Sequence, residues 1–156
     1  MVNAVMSAPI AKSHQSPDWA GRISVVLVDD SAVAMTALVR WLHNHLPLQI
    51  TGQAEDGLHG FELVSRLQPD LVISDLQMPG LDGFELVERL RRNFPRMRLI
   101  LVSFDESPTL RSSSLRHGAD AFIPKSRLPE ELPGLLTRLF PQVTEVAPSL
   151  TLEPQL

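Results

Sequence analysis

The 156-residue chain contains no cysteine. That removes disulfides, thiolate nucleophiles and cysteine-based zinc sites together. It also lacks any apolar run long enough to span a bilayer. The N-terminus has neither a basic leader nor a continuous apolar stretch of the kind a secretory signal carries, so a cytoplasmic protein without membrane insertion is expected. Positive charge is in short supply, with 14 Lys and Arg against 18 Asp and Glu and a formal charge of −4. A nucleic-acid surface wants clustered Lys and Arg, so no direct binding of nucleic acid by this chain is expected. Five basic residues do fall between Arg89 and Arg98. Glu85 and Glu88 interleave with them at i,i+4 spacing, which reads mainly as a solvated, ion-paired helix face. His43 and His45 lie two apart and face different ways on a helix, so they make no zinc pair. Trp19 and Trp41 show no stacking arrangement for bases.

What is present suits one soluble globular core, with 44% hydrophobic and 21% charged residues. Residues 1–21 carry Ser, Pro, Asn, Gln and Lys without an apolar period and are expected to form a flexible tail. Residues 141–156, rich in proline, are expected to do the same. Between them two kinds of segment alternate. Short Val/Ile/Leu runs at Ile23 to Val28, Leu71 to Ser74 and Leu99 to Val102 suit strands covered on both faces. Leu48, Ile50 and Gly52 alternate more weakly, as in an edge strand, and Ala121 to Ile123 suits the opposite edge.

The other segments have helical spacing and clear punctuation. Ser31 can cap a helix bearing Met35, Leu38, Val39, Leu42 and Leu46, stopped by Pro47. Asp56 can cap one bearing Phe61, Val64 and Leu67, stopped before Pro69. Asp82 and Glu85 form a capping-box pair ahead of Leu86, Val87 and Leu90. Ser107-Pro108 opens a fourth, closed by Gly118. The last carries Leu128, Leu132, Leu135, Leu136 and Leu139, and Pro133 predicts that it begins late or is kinked. Five strand–helix units in succession imply an α/β fold with a doubly wound, five-stranded parallel sheet and helices on both faces. Its ligand site should lie beyond the carboxyl ends of the strands.

Those ends carry a chemically coherent set: Asp29 and Asp30 after the first strand, Asp75 after the third, Ser103 after the fourth and Lys125 after the fifth. Three packed carboxylates repel one another unless a cation sits among them. With no His or Cys in the set, a hard ion such as Mg²⁺ fits, since it takes one or two carboxylates and completes its shell with water and phosphate oxygens. Lys125 supplies a point charge for an incoming anion and Ser103 a hydroxyl. Such an assembly suits phosphoryl transfer, with one carboxylate as the nucleophile.

Val28-Asp29-Asp30-Ser31-Ala32, the stretch Asp75-Leu76-Gln77-Met78-Pro79-Gly80-Leu81-Asp82-Gly83, Ser103 and Lys125 together resemble a bacterial two-component response-regulator receiver domain over residues 22–140. The resemblance implies the flavodoxin-like strand order 2-1-3-4-5. It implies phosphorylation of Asp75 by a histidine kinase or a small phosphodonor, and signalling to a downstream protein. Mg²⁺ would be held by Asp30 and Asp75 directly, by Asp29 through water and by the Gln77 backbone carbonyl. Ser103 and Lys125 would sense the phosphoryl group, and Phe122 matches the aromatic switch position. Gln77 and Asp105 resemble positions that tune phosphoryl lifetime, and Phe104 stands after the switch hydroxyl where a small residue is usual. The serine-rich stretch from Ser107 to His117 suits a marginal helix able to rearrange.

Two other classes stay open. One is a degenerate receiver acting as a phosphorylation-independent interaction module. The other is a Mg²⁺-dependent phosphohydrolase with an aspartyl intermediate, although Gln77 stands where a second acid/base Asp would be needed. After the last helix too few residues follow for a helix-turn-helix reader, so no separate output domain is expected within this chain.

Overall fold

The computed structural model describes residues 23–141. Ten elements alternate along it: β1 (Ile23–Val28), α1 (Ala32–His45), β2 (Leu48–Ala54), α2 (Gly57–Leu67), β3 (Leu71–Asp75), α3 (Gly83–Asn93), β4 (Arg98–Ser103), α4 (Pro108–His117), β5 (Ala121–Pro124) and α5 (Leu128–Leu139). A single 3-10 turn, Lys125–Arg127, joins β5 to α5. The expected tails fall outside the described residues, apart from Pro141.

All strand pairs are parallel, as the strand–helix alternation implies, and their order β2-β1-β3-β4-β5 is the one the family resemblance implies. Alternation along each strand divides the core into two layers. Val26, Val28, Val72, Leu99, Leu101 and Phe122 face α2, α3 and α4. Val25, Leu27, Ile73, Ile100, Val102 and Ile123 face α1 and α5. Strands β1, β3 and β4 are buried almost throughout, which is why they read as unbroken apolar runs, whereas edge strand β2 alternates.

Local capping fixes where the helices start. Ser31 Oγ accepts the Ala34 amide at 3.1 Å and Asp56 Oδ1 accepts that of His59 at 2.8 Å. Asp82 and Glu85 close the full capping box. Gly118 ends α4 at φ 116°, in the left-handed region where a side chain is strained.

Four local expectations need correction. Leu67 is 39% exposed, and Leu63 takes the buried position instead at 8%. Leu67 lies over Gly52 on the edge strand, with no further strand to cover its outer side. Helix α5 does not begin late: it starts at Leu128 and continues through Pro133 to Leu139. Leu128, Leu132, Leu135 and Leu136 are all buried there. At about 1.5–3 kcal/mol per buried leucine, their burial outweighs the roughly 3 kcal/mol cost of an internal proline. The basic run is not simply a solvated face. Arg91 bonds the carbonyls of Pro95, Met97 and Gly118 and the carboxylate of Asp120, pinning α3 to the loops before β4 and β5. Nor do the acidic partners pair within the helix, because Glu85 serves the cap and Glu88 bonds His117 Nδ1 of α4 at 2.7 Å.

Helix α4 is the weakest-docked element of the α2/α3/α4 layer. Its one buried residue is Ser114, and that hydroxyl has no hydrogen-bond partner. A buried unsatisfied hydroxyl costs about 1–3 kcal/mol, and serine is also a poorer helix former than alanine. Ser114→Ala should therefore raise stability by roughly 1 kcal/mol, read as a higher urea midpoint at unchanged slope, with slower amide exchange concentrated in α4.

Candidate functional site

Register brings the polar residues to one edge. Val28 of β1 pairs with Ser74 of β3, Asp75 with Val102 of β4, and Ser103 with Pro124 of β5. The residues that follow, or end, these strands therefore share one carboxyl-end rim. Asp75 is seated from behind as well. Leu76 donates to the Val102 carbonyl at 2.8 Å, Gly83 donates to the Leu76 carbonyl at 2.9 Å, and Met78 is buried. A Cβ on Gly83 would sit 2.7 Å from the Asp75 carbonyl oxygen, so this loop closes against β3 only with glycine there.

Asp29, Asp30 and Asp75 converge, each offering a carboxylate oxygen within 4.8 Å of the others. Asp29 and Asp75 are buried, and Asp30 is exposed. Both Asp29 oxygens are occupied: Oδ1 accepts the Ser31 amide at 2.9 Å and Oδ2 the Lys125 ammonium at 2.8 Å. Lys125 Nζ also lies 3.6 Å from Asp75 Oδ1. Burial pushes the Asp75 carboxyl above the usual aspartate range, and Asp29 and Asp30 push the same way; Lys125 and the Gln77 amide oppose them.

The remaining predicted residues are placed as follows. Ser103 ends β4 fully buried, and its Oγ accepts the Asp105 amide at 3.0 Å, not a bond from Lys125. Asp105 in turn accepts the Ser107 amide at 2.9 Å, which shapes the entry to α4. Gln77 is exposed in the loop after β3 and touches the site through its amide. Phe122 is buried in the α2/α3/α4 layer, where Arg111 lies over its ring and donates to its carbonyl at 3.0 Å. Phe104 is exposed, with its ring 4.5 Å from Lys125 Nζ. Sequence reasoning missed that last contact and the Arg111 contact. Neither has a local signal, since each joins residues on different strand–helix units.

Three carboxylates facing one ammonium leave negative charge uncompensated when all are ionised, and every donor is oxygen. That set fits a hard divalent cation, and Mg²⁺ in particular. Among the described residues it is the one group of three or more acidic or imidazole side chains close enough to share an ion.

Residues 25–137 match the family described as the response regulator receiver domain. The chain belongs to the response regulator receiver family. This receiver is 29% identical over 128 residues to response regulator GacA of Pseudomonas aeruginosa, covering 82% of this chain and 60% of GacA. It is 30% identical over 120 residues to the nitrate/nitrite response regulator NarL of Escherichia coli K12, covering 77% of this chain and 53% of NarL. The receiver thus spans less than two thirds of the length of these curated relatives. Among solved structures, it resembles the signal receiver domain of the putative response regulator NarL from Mycobacterium tuberculosis, at TM-score 0.69 and 28% identity, over 76% of this chain and 96% of that one. The response regulator domain of Thermotoga maritima CheB matches at TM-score 0.66 and 31% identity, over 80% of this chain and 97% of that one. The flavodoxin-like fold and a place in two-component signalling follow. Receivers bind Mg²⁺ at an acidic cluster, and Asp29, Asp30 and Asp75 form such a cluster here.

The raised Asp75 carboxyl has a consequence for stability. Its folded form holds a proton more tightly than the unfolded chain does, so this group stabilises the fold below the ordinary aspartate pKa and loses that contribution as pH rises through the folded value. Asp75→Asn should raise the urea midpoint at neutral pH in metal-free buffer. The gain over wild type should shrink as pH is lowered toward the ordinary aspartate range, which a pair of pH–stability profiles would show.

Proposed function

We propose that the chain is the phosphoacceptor of a two-component pathway, with Asp75 as the nucleophile. A carboxylate oxygen of Asp75 forms the new bond to phosphorus, and the bond from phosphorus to the donor's imidazole nitrogen or acyl oxygen breaks. The donor is a histidine kinase or a small phosphodonor. The observation that carries this reading is the meeting of three carboxylates and Lys125 at the ends of parallel strands.

Asp29, Asp30, Asp75 and the Gln77 backbone carbonyl would hold Mg²⁺, which neutralises the charge of the transferring group. Among the described residues Lys125 is the one ammonium at the rim, and it would follow the added charge from Asp29 to a phosphoryl oxygen. Ser103 accepts from Asp105 and so retains its own hydroxyl proton to donate. A shift of Ser103 would pass through Asp105 and Ser107 to the weakly docked α4, and through β5 to Phe122 and Arg111. Gln77, Phe104 and Asp105 would set the lifetime of the phosphoryl group by what they place around it.

The signalling unit would occupy residues 22–140, in the cytoplasm, with a protein partner downstream and no nucleic-acid contact made by this chain. It would perform no chemistry beyond its own phosphorylation and dephosphorylation. Among the described residues no helix is long and apolar enough to cross a membrane.

Beryllofluoride with Mg²⁺ should change the intrinsic tryptophan fluorescence of the wild type and raise its melting temperature, because a ligand bound only to the folded state stabilises it. Asp75→Ala should abolish both responses, and Asp30→Asn should weaken the Mg²⁺ dependence about tenfold or more. A wild type indifferent to beryllofluoride and to acetyl phosphate would sink the proposal. Exposed Phe104 at the rim favours a second reading, an interaction module independent of phosphate. That reading predicts partner capture unchanged by Asp75→Ala.

A further inference from the structure

Phe104 is the anomaly of the rim. It follows a fully buried serine at the end of β4, yet it is 72% exposed, and no core requirement explains an aromatic ring there. Its ring face lies 4.5 Å from Lys125 Nζ, within cation–π range. The Lys125 side chain is only 10% exposed, so the ammonium is held between the ring and the carboxylates of Asp29 and Asp75. Beside it runs a cavity of about 380 Å³, which Phe104 lines together with Trp41, Leu38 and Pro129, and which Lys125 and Asp29 also reach. Without the ring, that side of the ammonium would face the cavity and its water.

We propose that Phe104 is a positioning residue for Lys125, holding the ammonium over the acceptor site through its π face. The inference rests on the phosphoacceptor reading and deepens it. A lysine is a strongly hydrated point charge on a flexible stem, so its pull on an entering anion depends on what keeps it in place and dry. The ring does both without competing for the anion, because it offers no formal charge and no hydrogen-bond donor. Simple blocking is the rival explanation, and it has the opposite sign: a ring that only obstructs would slow the entry of phosphodonor, and its removal would speed the reaction.

The test compares the wild-type 156-residue chain with Phe104→Trp, Phe104→Leu and Phe104→Ala, substitutions that an exposed site tolerates. The probes are beryllofluoride with Mg²⁺ for affinity and acetyl phosphate for the initial rate. A π contact predicts that Trp keeps the wild-type affinity, while Leu and Ala both weaken it about two- to fivefold and slow the reaction, because leucine fills space without a quadrupole. A double-mutant cycle with Lys125→Met, read by urea unfolding without ligand, should give a coupling for Leu that vanishes for Trp. Faster reaction in the Ala and Leu variants, or equal behaviour of Leu and Trp, would overturn the inference while leaving the phosphoacceptor intact. A wild type that fails to respond in an Asp75-dependent way would overturn both.

Discussion

Asp29 and Asp75 are both buried within a few ångströms of one another, and Lys125 supplies the positive charge between them. The rest of the site depends on that constraint. Like charges at the mouth of a low-dielectric sheet repel, and a single ammonium shared at 2.8 and 3.6 Å cannot fully compensate them. Burial raises the Asp75 carboxyl above its usual range, and Asp75 lacks the pair of close donors that Asp29 has in Ser31 and Lys125. A hard dication, or a phosphoryl group together with one, relieves that repulsion. The site is therefore poised toward binding by electrostatic frustration within its own fold.

The surrounding structure holds this arrangement rigidly on one side and loosely on the other. On the β3 side, Gly83 presses against the backbone of Asp75 and Leu76, and buried Met78 anchors the loop. On the β4–α4 side, Ser103, Asp105 and Ser107 form a chain of single hydrogen bonds. That chain leads into a helix whose one buried residue is an unpartnered serine. A perturbation at the rim meets little resistance in that direction. Arg111 extends the path, since it joins α4 to the Phe122 carbonyl and approaches Glu131 of α5 at 3.9 Å.

Much of this was legible in the sequence, and the reason is locality. Caps at Ser31, Asp56 and Asp82 bond amides only three residues on, so a short window contains the whole interaction. The strands announced themselves by continuous apolar character, which follows from burial on both faces. Every residue named for the site from the sequence lies at or near the rim except Phe122, which sits inside the layer behind it. Errors came where the environment overrides the pattern. Leu67 keeps its helical spacing but lies over the sheet edge, and Pro133 breaks a helix rule that the buried leucines of α5 outweigh. Arg91 looked like one of a solvated run, yet its guanidinium satisfies carbonyls contributed by two separate loops.

The sequence by itself determined the order of the elements, the two-layered core and the identity of the groups at the strand ends, because each follows from periodicity or from near neighbours along the chain. Tertiary structure alone decided which of those groups touch. Lys125 pairs with Asp29 more closely than with Asp75, Ser103 serves Asp105, and the Phe104 ring covers the lysine. Those contacts depend on the register of β1, β3, β4 and β5, fixed by hydrogen bonds and packing spread across the whole sheet. No window of sequence contains them, so the inventory of the site was readable while its wiring was not.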